Sequence, residues 1–157
     1  MKLLASHKII VVTGPESTGK TTLATHLSDR DNLPLIPEFA REYLDNKAVG
    51  YRYTFEDLIA ISHAQNKMEY DAYQKYDQIV CDTDLVTIDI WAKEKFGRAL
   101  GMDIPLIEYK HYILCPPDIP WEYDEQRENP DDRNRLFDVY KKYLISIGAS
   151  YEIYDRK

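Results

Sequence analysis

The feature that most constrains this chain is an eight-residue string, G-P-E-S-T-G-K-T at positions 14–21, set between an unbroken apolar run and a helical pattern. The run before it contains Ile9-Ile-Val-Val12. Continuous β-branched residues of this kind suit a strand buried on both faces of a parallel sheet. The string fits G-x-x-x-x-G-K-[ST] at every fixed position. Gly14 and Gly19 permit a turn so tight that successive N–H groups converge on one point, and the helix behind adds its positive end. Strand, glycine turn and helix in this order build a cradle for an anion.

The anion this pattern implies is the triphosphate of ATP, held by Gly14, Glu16, Ser17, Thr18, Gly19, Lys20, Thr21 and Thr22. Lys20 places a mobile cation on the β- and γ-phosphates, and Thr21 offers a hydroxyl to Mg²⁺. A carboxylate is needed beside that metal. Asp82 ends the apolar string Gln78-Ile-Val-Cys-Asp82 and is the expected ligand, because a parallel sheet collects the C-terminal ends of its strands on one edge. Asp84 lies two residues on, suited to capping the next helix and to a site role on the same side.

Further strands are expected at 33–36, 78–82, 111–115 and 151–154, after the first at 8–13. Helical patterns fill 20–27, 54–76, 84–96 and 132–147, the second opened by a capping-box spacing at Thr54 and Asp57 and the last closed by Gly148. Strands alternating with helices predict an α/β chain with the P-loop NTPase fold, a five-stranded, mostly parallel sheet flanked by helices. Residues 1–157 read as one kinase domain. A Pro-flanked, charged stretch at about 116–134 reads as an arginine-bearing lid loop.

Composition narrows the class. With 20 basic and 27 acidic residues the net charge is −7, which disfavours a broad nucleic-acid footprint and with it a nucleic-acid end kinase. No apolar run is long enough for a membrane span, and the first residues lack a signal-peptide pattern. The two cysteines, Cys81 and Cys115, form no disulfide framework, and a cytoplasmic setting is expected. A GTPase would need N-K-x-D after a strand; the string at 66–69 is N-K-M-E within a helical pattern.

A small kinase remains. It needs a group that aligns the acceptor hydroxyl and mobile arginines around the transferred phosphoryl. Glu38 follows the second strand at the sheet edge. Arg127 and Arg133 lie in the lid stretch and suit bidentate phosphate contacts. The residues leave open whether Glu38 or Asp84 takes the proton. Trp91 is expected in the core, and His63 on a polar helix face.

G-P-E-S-T-G-K-T at 14–21, E-F-A-R-E-Y at 38–43, H-A-Q at 63–65, D-T-D at 82–84 and P-W-E-Y-D-E-Q-R at 120–127, followed by Asp132-Arg133, span nearly the whole chain. In this combination the chain resembles the nicotinamide riboside kinase domain of bacterial NAD-biosynthesis regulators, within the AAA-like P-loop nucleoside kinases. The resemblance implies ATP- and Mg²⁺-dependent phosphorylation of the 5′-hydroxyl of a ribonucleoside, nicotinamide riboside giving nicotinamide mononucleotide. It further implies that Lys20, Thr21 and Asp82 serve ATP and magnesium, that Glu38, Arg41, Tyr43 and Asp84 face the nucleoside, and that Arg127 and Arg133 belong to the lid. The family commonly has tryptophan before the Glu of the E-x-x-R-E-Y segment, where this chain has Pro37. Phe39, Tyr43 and Trp121 are the aromatics placed to substitute for it. The alternative reading is an ATP-binding regulatory or interaction module without turnover.

Overall fold

The structure, a computed structural model, describes residues 7–118 and 132–156. In chain order the elements are β1 (Ile9–Thr13), α1 (Lys20–Asp31), β2 (Leu35–Ile36), α2 (Phe39–Asp45), α3 (Phe55–Lys75), β3 (Ile79–Asp82), α4 (Leu85–Phe96), β4 (Lys110–Leu114), α5 (Arg133–Ser146) and β5 (Ser150–Ile153). The five strands form one sheet in the order β2-β3-β1-β4-β5, and every neighbouring pair is parallel. All five expected strands are present, within two residues of the expected limits.

The apolar run of β1 is buried along its whole length because both sheet faces are covered. Ile9 and Val11 pack with Val86, Ile90, Tyr140 and Leu144, under α4 and α5. Ile10 and Val12 pack on the opposite face with Leu23, Ala24 and Leu27 of α1. A third apolar cluster joins α2, α3 and α4 through Ala40, Leu58, Ile61, Leu85 and Ile88. Cys81 and Cys115 are fully buried, as expected of small core residues.

Local signals set the helix limits. Thr54 and Asp57 form the reciprocal capping box that starts α3. Asp84 accepts from Val86 N at 3.0 Å and starts α4; Gly97 ends it in the left-handed region. At the end of α5, Gly148 N donates to Ile145 O and Ala149 N to Leu144 O, the paired bonds of a Schellman motif. The short α2, not anticipated as a helix, begins directly after Glu38. Among the described residues no helix is long and apolar enough to cross a membrane.

Candidate active site

The phosphate loop leaves β1 at the point where β3 lies on one side and β4 on the other, so its two neighbouring crossovers diverge and open a crevice at the strand ends. Gly14 has φ +141°, and a Cβ there would lie 2.7 Å from the carbonyl oxygen of Cys115, so only glycine fits. Gly19, at φ 77°, is the N-cap of α1. Lys20 Nζ donates to the carbonyls of Gly14 and Pro15, both at 2.9 Å, which sets the ammonium across the mouth of the loop.

Thr21 and Asp82 meet as the sequence predicts. Thr21 Oγ1 donates to Asp82 Oδ2 at 2.7 Å. The other oxygen, Oδ1, is buried and has no hydrogen-bond partner among the described residues. Burial pushes the Asp82 carboxyl pKa upward, while the Thr21 bond and the charges of Lys20 and Arg41 pull it down. An orphaned carboxylate oxygen beside a threonine hydroxyl is a donor pair that suits a hard divalent cation, so these residues fit Mg²⁺.

Asp84 is placed differently from its neighbour. It is 1% exposed, and both its oxygens are engaged: Oδ1 by Val86 N, Oδ2 by Lys110 Nζ at 2.9 Å and Tyr112 Oη at 2.6 Å. Lys110 also pairs with Glu69 of α3 at 3.0 Å, and neither side chain exceeds 2% exposure. Sequence reasoning missed Lys110 and Glu69. The helical periodicity did place Glu69 beside Met68 and one turn before Ala72, on the face that packs inward, and that is the signal that could have found it.

Glu38 is the N-cap residue of α2 but makes no side-chain cap bond. Its charge, with those of Glu16 and Asp84, bears on the phenol of Tyr140, which is pushed up first by burial. Tyr140 lines a cleft of about 90 Å³ that starts at Pro15 and Glu16 of the phosphate loop. Tyr53 and Trp91 add aromatic wall, and Glu94 and Lys95 supply charge. Trp91, expected in the core, is half-buried: it packs on the third apolar cluster and also faces this cleft, because α4 runs between the two.

Tyr43 donates its hydroxyl to Asp57 Oδ1 at 2.6 Å, and Tyr51 donates to Oδ2 at 2.6 Å. Burial opposes ionisation of Asp57, yet these bonds and those from Thr54 hold it at about 2. The phenol of Tyr43 is thus committed to the α2–α3 junction, and its ring lies 6.2 Å from that of Phe39. Arg133 reaches the phosphate loop, Nη1 donating to Ser17 O at 3.0 Å. Arg156, not singled out from the sequence, does the same from beyond β5, donating to Thr18 O at 2.5 Å and pairing with Asp118. Arg127, Trp121 and most of the lid lie outside the described residues. His63 is exposed on α3, as expected.

This sheet order, loop and crevice define a P-loop domain. The sequence matches the AAA domain family over residues 9–156, and the chain belongs to that family. Among solved structures it is similar to a NadR protein in complex with NAD and AMP-PNP, at 20% identity and a TM-score of 0.69, over 97% of this chain and 45% of that one. A NadR protein in complex with NR gives 22% identity and a TM-score of 0.68, over 97% of this chain and 46% of that one. The chain thus spans about half the length of those proteins. Deoxyadenosine kinase from M. mycoides with bound dATP matches at 14% identity and a TM-score of 0.59, over 94% of this chain and 90% of that one. The fold is therefore that of the P-loop kinases. No curated protein matches the sequence.

Proposed function

We propose that the chain is an ATP- and Mg²⁺-dependent kinase that transfers the γ-phosphoryl group to the 5′-hydroxyl of a ribonucleoside, nicotinamide riboside giving nicotinamide mononucleotide. One observation carries the reading: the Thr21–Asp82 pair with its orphaned buried oxygen stands beside a phosphate loop that opens onto an aromatic-walled cleft. Donor and acceptor would lie side by side, which is what transfer requires.

In this scheme the loop amides and Lys20 would grip the triphosphate, and Thr21 and Asp82 would hold magnesium, whose charge would offset that of the phosphate oxygens. Glu38 orients the acceptor hydroxyl and takes its proton late, as the new P–O bond forms and the bond to the leaving ADP oxygen breaks. Asp84 is not assigned as the base, since Val86 N, Lys110 and Tyr112 engage both of its oxygens. Asp84 instead anchors the start of α4 behind Asp82. Arg41 and Arg133 flank the transferred group, and the same role is assigned to Arg127 on the resemblance alone. Phe39 and Trp91 offer ring surface to the base, and Tyr43 braces the acceptor side through Asp57.

The test is ADP release with nicotinamide riboside and a panel of nucleosides. Stimulation by nicotinamide riboside above the others is expected. ATP binding with no stimulation by any of them overturns the kinase reading and leaves an ATP-binding regulatory module.

A further inference from the structure

One buried amide grips the main chain on both sides of Glu38. Gln65 of α3, 2% exposed, accepts from Phe39 N through Oε1 at 2.8 Å and donates from Nε2 to Pro37 O at 3.1 Å. These partners lie 26 and 28 residues away in the sequence. We infer that Gln65 is a positioning residue for the Glu38 carboxylate, an inference that rests on the reading of Glu38 as the proton acceptor.

The local chain explains why an outside clamp is needed. β2 is an edge strand that ends at Ile36, so sheet pairing stops just before the turn. Pro37 has no N–H to tie the turn down. The first N–H groups of α2 lack partners within the helix, and the N-cap side chain ordinarily supplies one. Glu38 occupies that position and does not cap. Gln65 takes the Phe39 N–H instead, so the turn that carries Glu38 is fixed from α3.

Glutamine is the residue type the task requires. The clamp needs a donor and an acceptor on one planar group, at the reach of a two-carbon stem. Glutamate cannot donate to Pro37 O, and asparagine is one methylene short. The clamp is rigid because α3 is: Ile61 is fully buried one turn before Gln65, and Glu69, one turn after it, is bound to Lys110. The Glu38 turn is therefore tied to the same helix that, through Glu69 and Lys110, steadies Asp84 at the start of α4.

Gln65→Met keeps length and burial but removes both bonds. The expected result is a kcat for phosphoryl transfer lower by about 10–100-fold, the scale of a misplacement of about 1 Å, with the KM for ATP unchanged. Exchange of the Phe39 amide hydrogen should accelerate in the same variant, a readout that needs no turnover. The decisive comparison uses Glu38→Gln. If Gln65 acts through Glu38, adding Gln65→Met to Glu38→Gln lowers the residual single-turnover rate no further. An equal loss in that background, a loss confined to the KM for ATP, or an unchanged kcat in Gln65→Met overturns the inference. A Glu38→Gln enzyme with normal kcat removes the reading of Glu38 itself, a result distinct from normal kcat in Gln65→Met beside an inactive Glu38→Gln. Should Gln65→Met not fold, Gln65→Glu, which keeps only the acceptor, takes its place with the same outcomes.

Discussion

Lys110 opens β4 with no exposed surface, its ammonium 2.9 Å from Asp84 and 3.0 Å from Glu69. One cation thus serves two buried carboxylates. At such separations and an effective dielectric constant of about 20, each pair contributes about 5.5 kcal/mol of attraction. Desolvation costs several kcal/mol per ion, so the intact cluster adds little net stability. Removing the cation alone is another matter, because the two carboxylates stay behind in a dry site. Lys110→Met, which keeps the apolar stem, is expected to lower the free energy of unfolding by about 3–5 kcal/mol. For a domain of this size that is a fall in Tm of roughly 10 °C. Urea denaturation at pH 8, above the Glu69 pKa in the folded protein, measures it. Adding Glu69→Gln should recover part of the loss, since one uncompensated charge then disappears. A loss below about 1 kcal/mol, the scale of an exposed pair, would refute the reasoning and mean that water reaches the cluster.

The same cluster predicts a pH dependence. Burial, helped by Asp84, pushes Glu69 from 4.5 up to about 7 against the pull of Lys110. Between those values the folded protein keeps a proton that the unfolded chain releases, so stability falls as pH rises through the window. Glu69→Gln should flatten that slope in urea titrations at pH 5 and pH 8, and a slope equal to that of the unaltered protein would sink the assignment. Gly14→Ala, at φ +141° with its Cβ 2.7 Å from Cys115 O, should cost about 1–3 kcal/mol. It should also abolish thermal stabilisation by ATP–Mg²⁺, whereas retained stabilisation would show that the loop tolerates the side chain. Lys20→Ala should reduce turnover about a thousandfold while leaving the melting temperature of the protein alone nearly unchanged; a fall of less than tenfold would remove Lys20 from the transition state.

The elements legible in the sequence are those whose signals are local. The β-branched run of β1, the glycines at 14 and 19, the capping box at Thr54 and Asp57 and the stop at Gly148 act through neighbouring backbone, and each appears where the residues place it. Thr21 and Asp82 were paired across 61 positions because parallel strands must gather their C-terminal ends. α2 was not legible, since seven residues carry too little periodicity and its first N–H is satisfied from α3.

By itself the sequence determined a βαβ scaffold and a triphosphate-sized loop, because turn chemistry and side-chain period operate within a few residues. Only the tertiary structure decided which polar groups the core would bury together. It carried Lys110 to Asp84 and Glu69, Gln65 to the Glu38 turn, and Arg133 and Arg156 to the phosphate loop across 116 and 138 positions. A buried lysine carries no local mark, and a buried glutamine, even within the H-A-Q string, names no partner. Its partner is chosen by the requirement that every polar group removed from water find another, and that requirement is met only when the whole chain has packed.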